Sequence, residues 1–173
     1  EALNVDDLRL QLKAHFEAGI RSVAIVFMHA YRYTQHEAMA AQLAREVGFS
    51  QVSTSHQTSP LMKFVSRGDT TVVDAYLSPI LRRYVDQVAH EMPGVKLMFM
   101  QSSGGLTDAH AFAGKDAILS GPAGGIVGMA RTAEGAGHDK VIGFDMGGTS
   151  TDVSHYAGQF ECEFETQVAG VRM

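Results

Sequence analysis

Val141-Ile142-Gly143-Phe144-Asp145-Met146-Gly147-Gly148-Thr149-Ser150-Thr151-Asp152-Val153-Ser154 decides how the rest of this 173-residue chain is read. An apolar run ends in a carboxylate. Two glycines follow, then three hydroxyl residues, a second carboxylate and a new alternating run. The pattern predicts strand, tight turn, strand, because adjacent glycines supply the positive φ of a two-residue hairpin loop. With Gly147-Gly148 as the loop, Asp145 falls opposite Ser150, and Asp152 lies two residues further along the same face. Two carboxylates and a hydroxyl then share a surface beside backbone amides that glycine leaves bare. Amides suit phosphate oxygens, and carboxylates suit a hard divalent cation such as Mg²⁺. An ordinary hairpin with polar turn residues fits the same stretch, since short glycine motifs recur by chance.

The composition sets the frame around that hairpin. A chain of this length can form one sizeable core, burying roughly 70% of its unfolded surface. It is 45% hydrophobic and 19% charged, with a net charge of −5. An acidic balance argues against nucleic acid or an anionic membrane as partner. The single cysteine, Cys162, excludes an internal disulfide framework and fits a reducing, cytoplasmic compartment. No stretch approaches the roughly 20 apolar residues of a membrane span, and no secretory signal opens the chain.

Upstream, Leu8, Leu12 and Phe16 predict a helix over 5–18 that stops at Gly19. The apolar run from Ser22 to Met28 predicts a strand buried on both faces. Thr34 to Glu37 fits a capping box, opening a helix with Met39, Leu43 and Val47 that ends at Gly48. A short strand over 51–55 completes one strand–helix–strand unit. His29, His36 and Glu37 have no recognised ligand spacing. Residues 70–91 read as helical with Val73, Leu77, Ile80, Leu81, Tyr84 and Val88 as the apolar stripe, with a bend or a very short break at Pro79, where Ser78 would cap a second helix. Arg82-Arg83 reads as a solvated face.

A buried strand over 95–100 ends in Gln101-Ser102-Ser103-Gly104-Gly105, where ligands collect in α/β sheets. That loop is either a wall of a cleft or a plain connection into a short helix capped by Thr107. A strand over 117–120 then leads through Gly121-Pro122-Ala123-Gly124-Gly125 into a helix reaching Ala133. Small residues leave that helix bare, for close packing or close ligand approach, and its N-terminus favours an anion. After the hairpin, Phe160, Cys162 and Phe164 alternate with Glu161, Glu163 and Glu165, predicting a third strand with Cys162 in the core.

Four motifs carry a resemblance. Asp145-Met146-Gly147-Gly148-Thr149-Ser150-Thr151-Asp152 resembles the second phosphate-binding hairpin of the hydantoinase/oxoprolinase family. Ser120 to Gly128, Met100 to Leu106 and Asp74 to Pro79 are similar to three further motifs of that family, in the same order. Ser154-His155-Tyr156-Ala157-Gly158-Gln159-Phe160 is most similar to the 5-oxoprolinase branch. The resemblance implies an α/β, actin-like/ribonuclease-H-like fold, shared with actin, acetate and sugar kinases and the large heat-shock chaperones. It implies a piece of a larger subunit, without the family's first phosphate hairpin. Residues 1–60 would end an N-terminal domain, 61–136 would hold a connecting helix, and 137–173 would begin the second lobe.

The implied activity is ATP-driven opening of a cyclic amide, with ATP and Mg²⁺ as cofactors and 5-oxoproline as substrate. By the same resemblance Asp145 holds Mg²⁺ or orients the attacking group, and Asp152 is a second carboxylate at the cation or a brace for the turn. Gly147, Gly148 and Thr149 cradle phosphates by their amides, Thr149 and Thr151 add hydroxyls, and Gly121, Gly124 and Gly125 form a hinge. Implied partners are a hydantoinase B-type subunit or domain and an oligomer, homo- or hetero-. The alternatives are an N-methylhydantoinase or acetone-carboxylase-type subunit, and an actin-like nucleotide switch. The isolated 173 residues are expected to be inactive.

Overall fold

A computed structural model describes residues 2–161, 163, 166–168 and 170–172. The chain divides into two compact units. One comprises 1–84, 113–115 and 165–173; the other comprises 85–112 and 116–164.

The first unit opens with α1, Val5–Glu17, whose N-terminus is capped by the Asn4 side chain accepting from the Asp7 N–H at 3.2 Å. Gly19, at φ 96°, ends it as expected. Strand β1, Ser22–Ile25, pairs in parallel with β2, Gln51–Thr54, and α2, Gln35–Val47, crosses between them. The core joins Leu12 of α1, Leu43 and Ala44 of α2 and Phe49. Phe16 meets Phe49 edge-on at 5.6 Å.

β1 is shorter than the predicted run to Met28, and the reason lies in side chains. The Phe27 N–H donates to Glu37 Oε1 at 2.9 Å, and the Phe27 carbonyl accepts from Arg67 at 2.7 Å. Buried side chains, not a sheet ladder, satisfy this backbone. The predicted capping box fails for the same reason. Thr34 makes no side-chain cap bond, and Glu37 turns inward and is fully buried. It accepts from Ser55 Oγ at 2.5 Å and the His56 N–H at 3.0 Å, while His56 Nδ1 lies 2.7 Å away. Burial alone pushes this carboxyl up. The bonds from Ser55, His56 and Phe27 outweigh burial and hold it below the ordinary glutamate range.

β2 runs into the single turn α3, Ser55–Thr58, and then α4, Phe64–Glu91. The predicted apolar stripe of α4 is not its buried face. Ile80 and Tyr84 are half exposed, while Ser66, Arg67, Thr70, Thr71, Asp74 and Ser78 are buried. Among the described residues no fully enclosed side-chain N or O atom lacks a partner. Arg67 spends its five N–H donors on Ser55 Oγ and the carbonyls of Leu61, Met62, Phe27 and Met28. Asp74 accepts from Ser53 Oγ at 2.6 Å, from Ser78 Oγ and from the Lys115 N–H. Pro79 sits inside the helix without ending it. A proline lacks the N–H that the carbonyl four residues back requires. That carbonyl belongs to Ala75, and the Ser22 hydroxyl donates to it instead.

In the second unit, β3, Met98–Met100, pairs antiparallel with β4, Leu106–Asp108. Residues 101–105 are therefore a hairpin loop, with Gly104 at φ 82°, and not a strand-to-helix connection. Asp108, not Thr107, caps the following 3₁₀ turn by accepting from the His110 N–H at 3.0 Å. The predicted strand over 117–120 does not form: Ala117 ends one helical segment, Ile118 and Leu119 make a turn, and Ser120 opens the next helix. The turn α5, Gly114–Ala117, leads almost directly into α6, Ser120–Gly135. Here short apolar residues carry no periodicity that separates strand from helix. β5, Val141–Met146, and β6, Thr151–Tyr156, form the expected antiparallel hairpin.

The expected third strand is absent at Phe160, Glu161 and Glu163. Its other positions, Cys162, Phe164 and Glu165, lie outside the described residues. A small hairpin of β7, Gln167–Val168, and β8, Val171–Arg172, follows in the first unit. Among the described residues no helix is long and apolar enough to cross a membrane.

Candidate functional site

The hairpin register places Asp145 directly opposite Asp152 and Met146 opposite Thr151. The Gly147 N–H donates to the Ser150 carbonyl at 2.9 Å, so Gly148 and Thr149 form the tip. The expected pairing of Asp145 with Ser150 is thus displaced by two residues. Neither Gly147 nor Gly148 adopts positive φ, so the I′ geometry that argued for a diglycine tip is not used. A two-residue displacement keeps every side chain on its face. Asp145 and Asp152 remain together, closer than expected.

One hairpin face carries three rungs: Val141 with Tyr156, Gly143 with Ser154, and Asp145 with Asp152. Directly opposed residues stand about 5 Å apart at Cβ, and like charges so placed repel. Both carboxylates are exposed, and among the described residues neither has a hydrogen bond or ion pair. They border a cleft of about 340 Å³ whose other wall is α6, at Pro122, Gly125, Ile126 and Met129. Thr151 falls on the opposite hairpin face, and the hydroxyl beside the carboxylates is that of Ser154. The Gly147 amide is consumed within the turn, whereas those of Gly148 and Thr149 have no acceptor among the described residues.

The expected glycines on α6 divide. Gly125 lines the cleft, and space around both Gly121 and Gly125 is open. Gly124 faces β3, where an added Cβ would stand 3.5 Å from Met100 Cγ. Gly104 of the 101–105 loop faces Val127 at 3.4 Å by the same measure. Positions 124 and 127 lie across the helix from 125 and 129, so this loop backs α6 and does not wall the cleft. Ser102 Oγ accepts from the Leu119 N–H at 3.0 Å and donates to the Asp116 carbonyl, tying the loop to the start of α6.

Below the carboxylates the cleft is closed. Met129 Sδ lies 3.5 Å from Ser154 Oγ. At Gly143 an added Cβ would overlap both atoms. At the far rung Tyr156 donates to Glu134 Oε1 at 2.5 Å, and Arg131 holds Glu134 Oε2 at 2.9 Å. The Glu134 bond pushes the Tyr156 hydroxyl up, and the Tyr156 and Arg131 bonds hold the Glu134 carboxyl down. The sequence reading missed Met129, Ser154 and Glu134. The one available signal was Gly143, a glycine inside a strand with no turn to serve. The outer hairpin face is bare: Ile142, Phe144, Met146 and Val153 are 74%, 68%, 72% and 65% exposed.

No cluster of three or more His, Cys, Asp or Glu side chains that could hold a metal occurs among the described residues. Two carboxylates suffice for Mg²⁺ only when phosphate oxygens and water complete its shell. The opposed pair beside free amides has the chemistry for that arrangement.

Known proteins resemble this chain over nearly its whole length. The sequence model described as hydantoinase/oxoprolinase matches residues 67–173, and that of the hydantoinase/oxoprolinase N-terminal region matches 1–48. The chain is 44% identical over 169 residues to 5-oxoprolinase of Saccharomyces cerevisiae, covering 95% of this chain and 13% of that protein. It is 45% identical over 170 residues to 5-oxoprolinase 1 of Arabidopsis thaliana, with 95% and 13% coverage. Among solved structures, ATP-dependent caprolactamase from Pseudomonas jessenii aligns at TM-score 0.78 and 32% identity over 90% of this chain and 23% of that one. Nucleotide-free acetone carboxylase aligns at TM-score 0.78 and 24% identity over 92% of this chain and 24% of that one, a likeness of fold. The chain thus spans about an eighth of the length of the 5-oxoprolinases it matches. Its fold is α/β of the actin-like class, and the chain belongs to the hydantoinase/oxoprolinase family.

Proposed function

We propose that this chain supplies the phosphate- and Mg²⁺-binding part of a larger cytoplasmic enzyme that opens a cyclic amide at the expense of ATP. The observation that carries the reading is the Asp145–Asp152 pair, directly opposed, without a partner among the described residues, and beside two amides that have no acceptor there. Repulsion between such carboxylates is relieved by a cation. In this reading Asp145 holds Mg²⁺, Asp152 is its second carboxylate or braces the turn, and the Gly148 and Thr149 amides receive phosphate oxygens. Gly121 and Gly125 leave α6 bare for close approach. Phosphoryl transfer needs chiefly positioning and charge neutralisation, which these groups supply.

The substrate reading is 5-oxoproline, supported by 40–45% identity to proteins named 5-oxoprolinase. Opening an unstrained five-membered lactam is uphill near neutral pH. Transfer of the γ-phosphoryl group to the amide oxygen makes its carbon a better electrophile, and water then breaks the C–N bond as ATP yields ADP and phosphate. The family's caprolactam-opening member, 34% identical over 145 residues and named as an alpha subunit, favours a second reading: a larger lactam and a companion subunit.

The test is ATP turnover by the natural protein with each lactam. Asp145→Asn is expected to lower 5-oxoproline-stimulated hydrolysis by about two orders of magnitude or more while thermal melting stays put. Near-normal turnover removes Asp145 from the mechanism. Stimulation by caprolactam and not 5-oxoproline selects the second reading.

A further inference from the structure

The three hairpin rungs meet α6 in different ways. The Tyr156 rung is bonded to α6 through Glu134, which Arg131 holds from its other oxygen. The Gly143–Ser154 rung is filled by Met129, whose sulfur occupies the space a side chain at 143 would take. The Asp145–Asp152 rung borders the cleft, with Gly125 among the residues of its other wall. Helix and hairpin are therefore fastened at one end, propped in the middle and open at the carboxylate end.

A prop between a fastened end and an open end sets how wide the open end stands. Methionine suits this place, being unbranched and adaptable, and its thioether makes no demand for hydrogen bonds. Gly143 suits it because any side chain would evict Met129. We infer that Met129, seated in the notch at Gly143 and backed by the Tyr156–Glu134 bond, is a positioning residue. It fixes the distance from the Asp145–Asp152 pair to the bare start of α6, and with it the fit of Mg-ATP. The inference rests on the reading of this cleft as the nucleotide site.

Two variants disturb the prop by opposite routes. Met129→Ala withdraws it, and Gly143→Ala pushes it out. In the natural protein both are expected to raise KM for Mg-ATP about tenfold, since small misplacements at a phosphoryl site are costly, with kcat changed less. Met129→Leu conserves volume and should stay within about twofold of wild type. A merely structural role would lower the melting temperature and leave KM unmoved. Unchanged KM in folded Met129→Ala overturns the inference.

Should the core variants fail to fold, Tyr156→Phe carries the test, because it removes one hydroxyl. It should raise KM in the same direction, and a KM within experimental error of wild type overturns the inference. Asp145→Asn separates the two failures. If it leaves turnover intact, the site reading falls. If it abolishes turnover while the prop variants bind Mg-ATP normally, only the prop falls.

Discussion

Glu37 shows how a single residue can mislead a sequence and organise a structure. Thr34 and Glu37 have the spacing of a helix-capping pair, yet Glu37 is fully buried and accepts from Phe27, Ser55 and His56. Nothing local distinguishes the two uses. The partners arrive from 10 to 19 residues away, beyond any local pattern. Glu37→Gln would place an amide N–H₂ against donors on one side, costing about 3 kcal/mol, readable as a lowered denaturant midpoint. The pH dependence follows in sign. The folded carboxyl ionises below the unfolded value of about 4.3, so its contribution is present above that pH and fades as pH falls through the folded value. The gap between wild type and Glu37→Gln should therefore be full at neutral pH and shrink in acid. A gap that stays constant from pH 7 to pH 3 would refute this account.

Asp145 and Asp152 were legible for a different reason. Strand parity survives a two-residue error in register, so their common face was fixed by sequence spacing even though the turn was misplaced. By the same parity Thr151 takes the opposite face, because neighbours on a strand face opposite ways.

Among elements, α4 is where periodicity misled most. Its apolar residues do follow a helical stripe, and a helix is there. The buried face is nevertheless the polar one, because Arg67, Asp74 and Ser78 find dedicated partners on neighbouring segments. Hydrophobic patterning assumes that polar groups prefer water. It fails where each has a bond waiting. The passage of α4 through Pro79 gives an element-scale prediction. Ser22→Ala leaves the Ala75 carbonyl without a donor and should cost about 1–2 kcal/mol in equilibrium unfolding. In a Pro79→Ala background the helix regains its own N–H, and Ser22→Ala should then cost little. Additive effects in that double-mutant cycle would rule out the compensation. The strand expected over 117–120 failed for a simpler cause: four residues are too few to show either period.

At the scale of the molecule, the sequence supplied the class of fold and the family through four ordered motifs. It could not supply the packing of α6 on its hairpin. That packing depends on a methionine from one element entering a gap in another, and no single motif contains both halves. The bare side of the hairpin has its own outcome. Four large apolar side chains in a two-stranded ribbon, with no neighbour over them among the described residues, make a surface that water disfavours. A preparation of these 173 residues alone is expected to bind the dye ANS and to sediment as a concentration-dependent mixture. Phe144→Thr with Val153→Lys should quiet both signals and leave Asp145 and Asp152 where they are. Dye binding unchanged by that pair would trace the stickiness to another part of the chain. In practice this greasy ribbon makes the excised piece a poor reagent for nucleotide titration unless it is first made wettable.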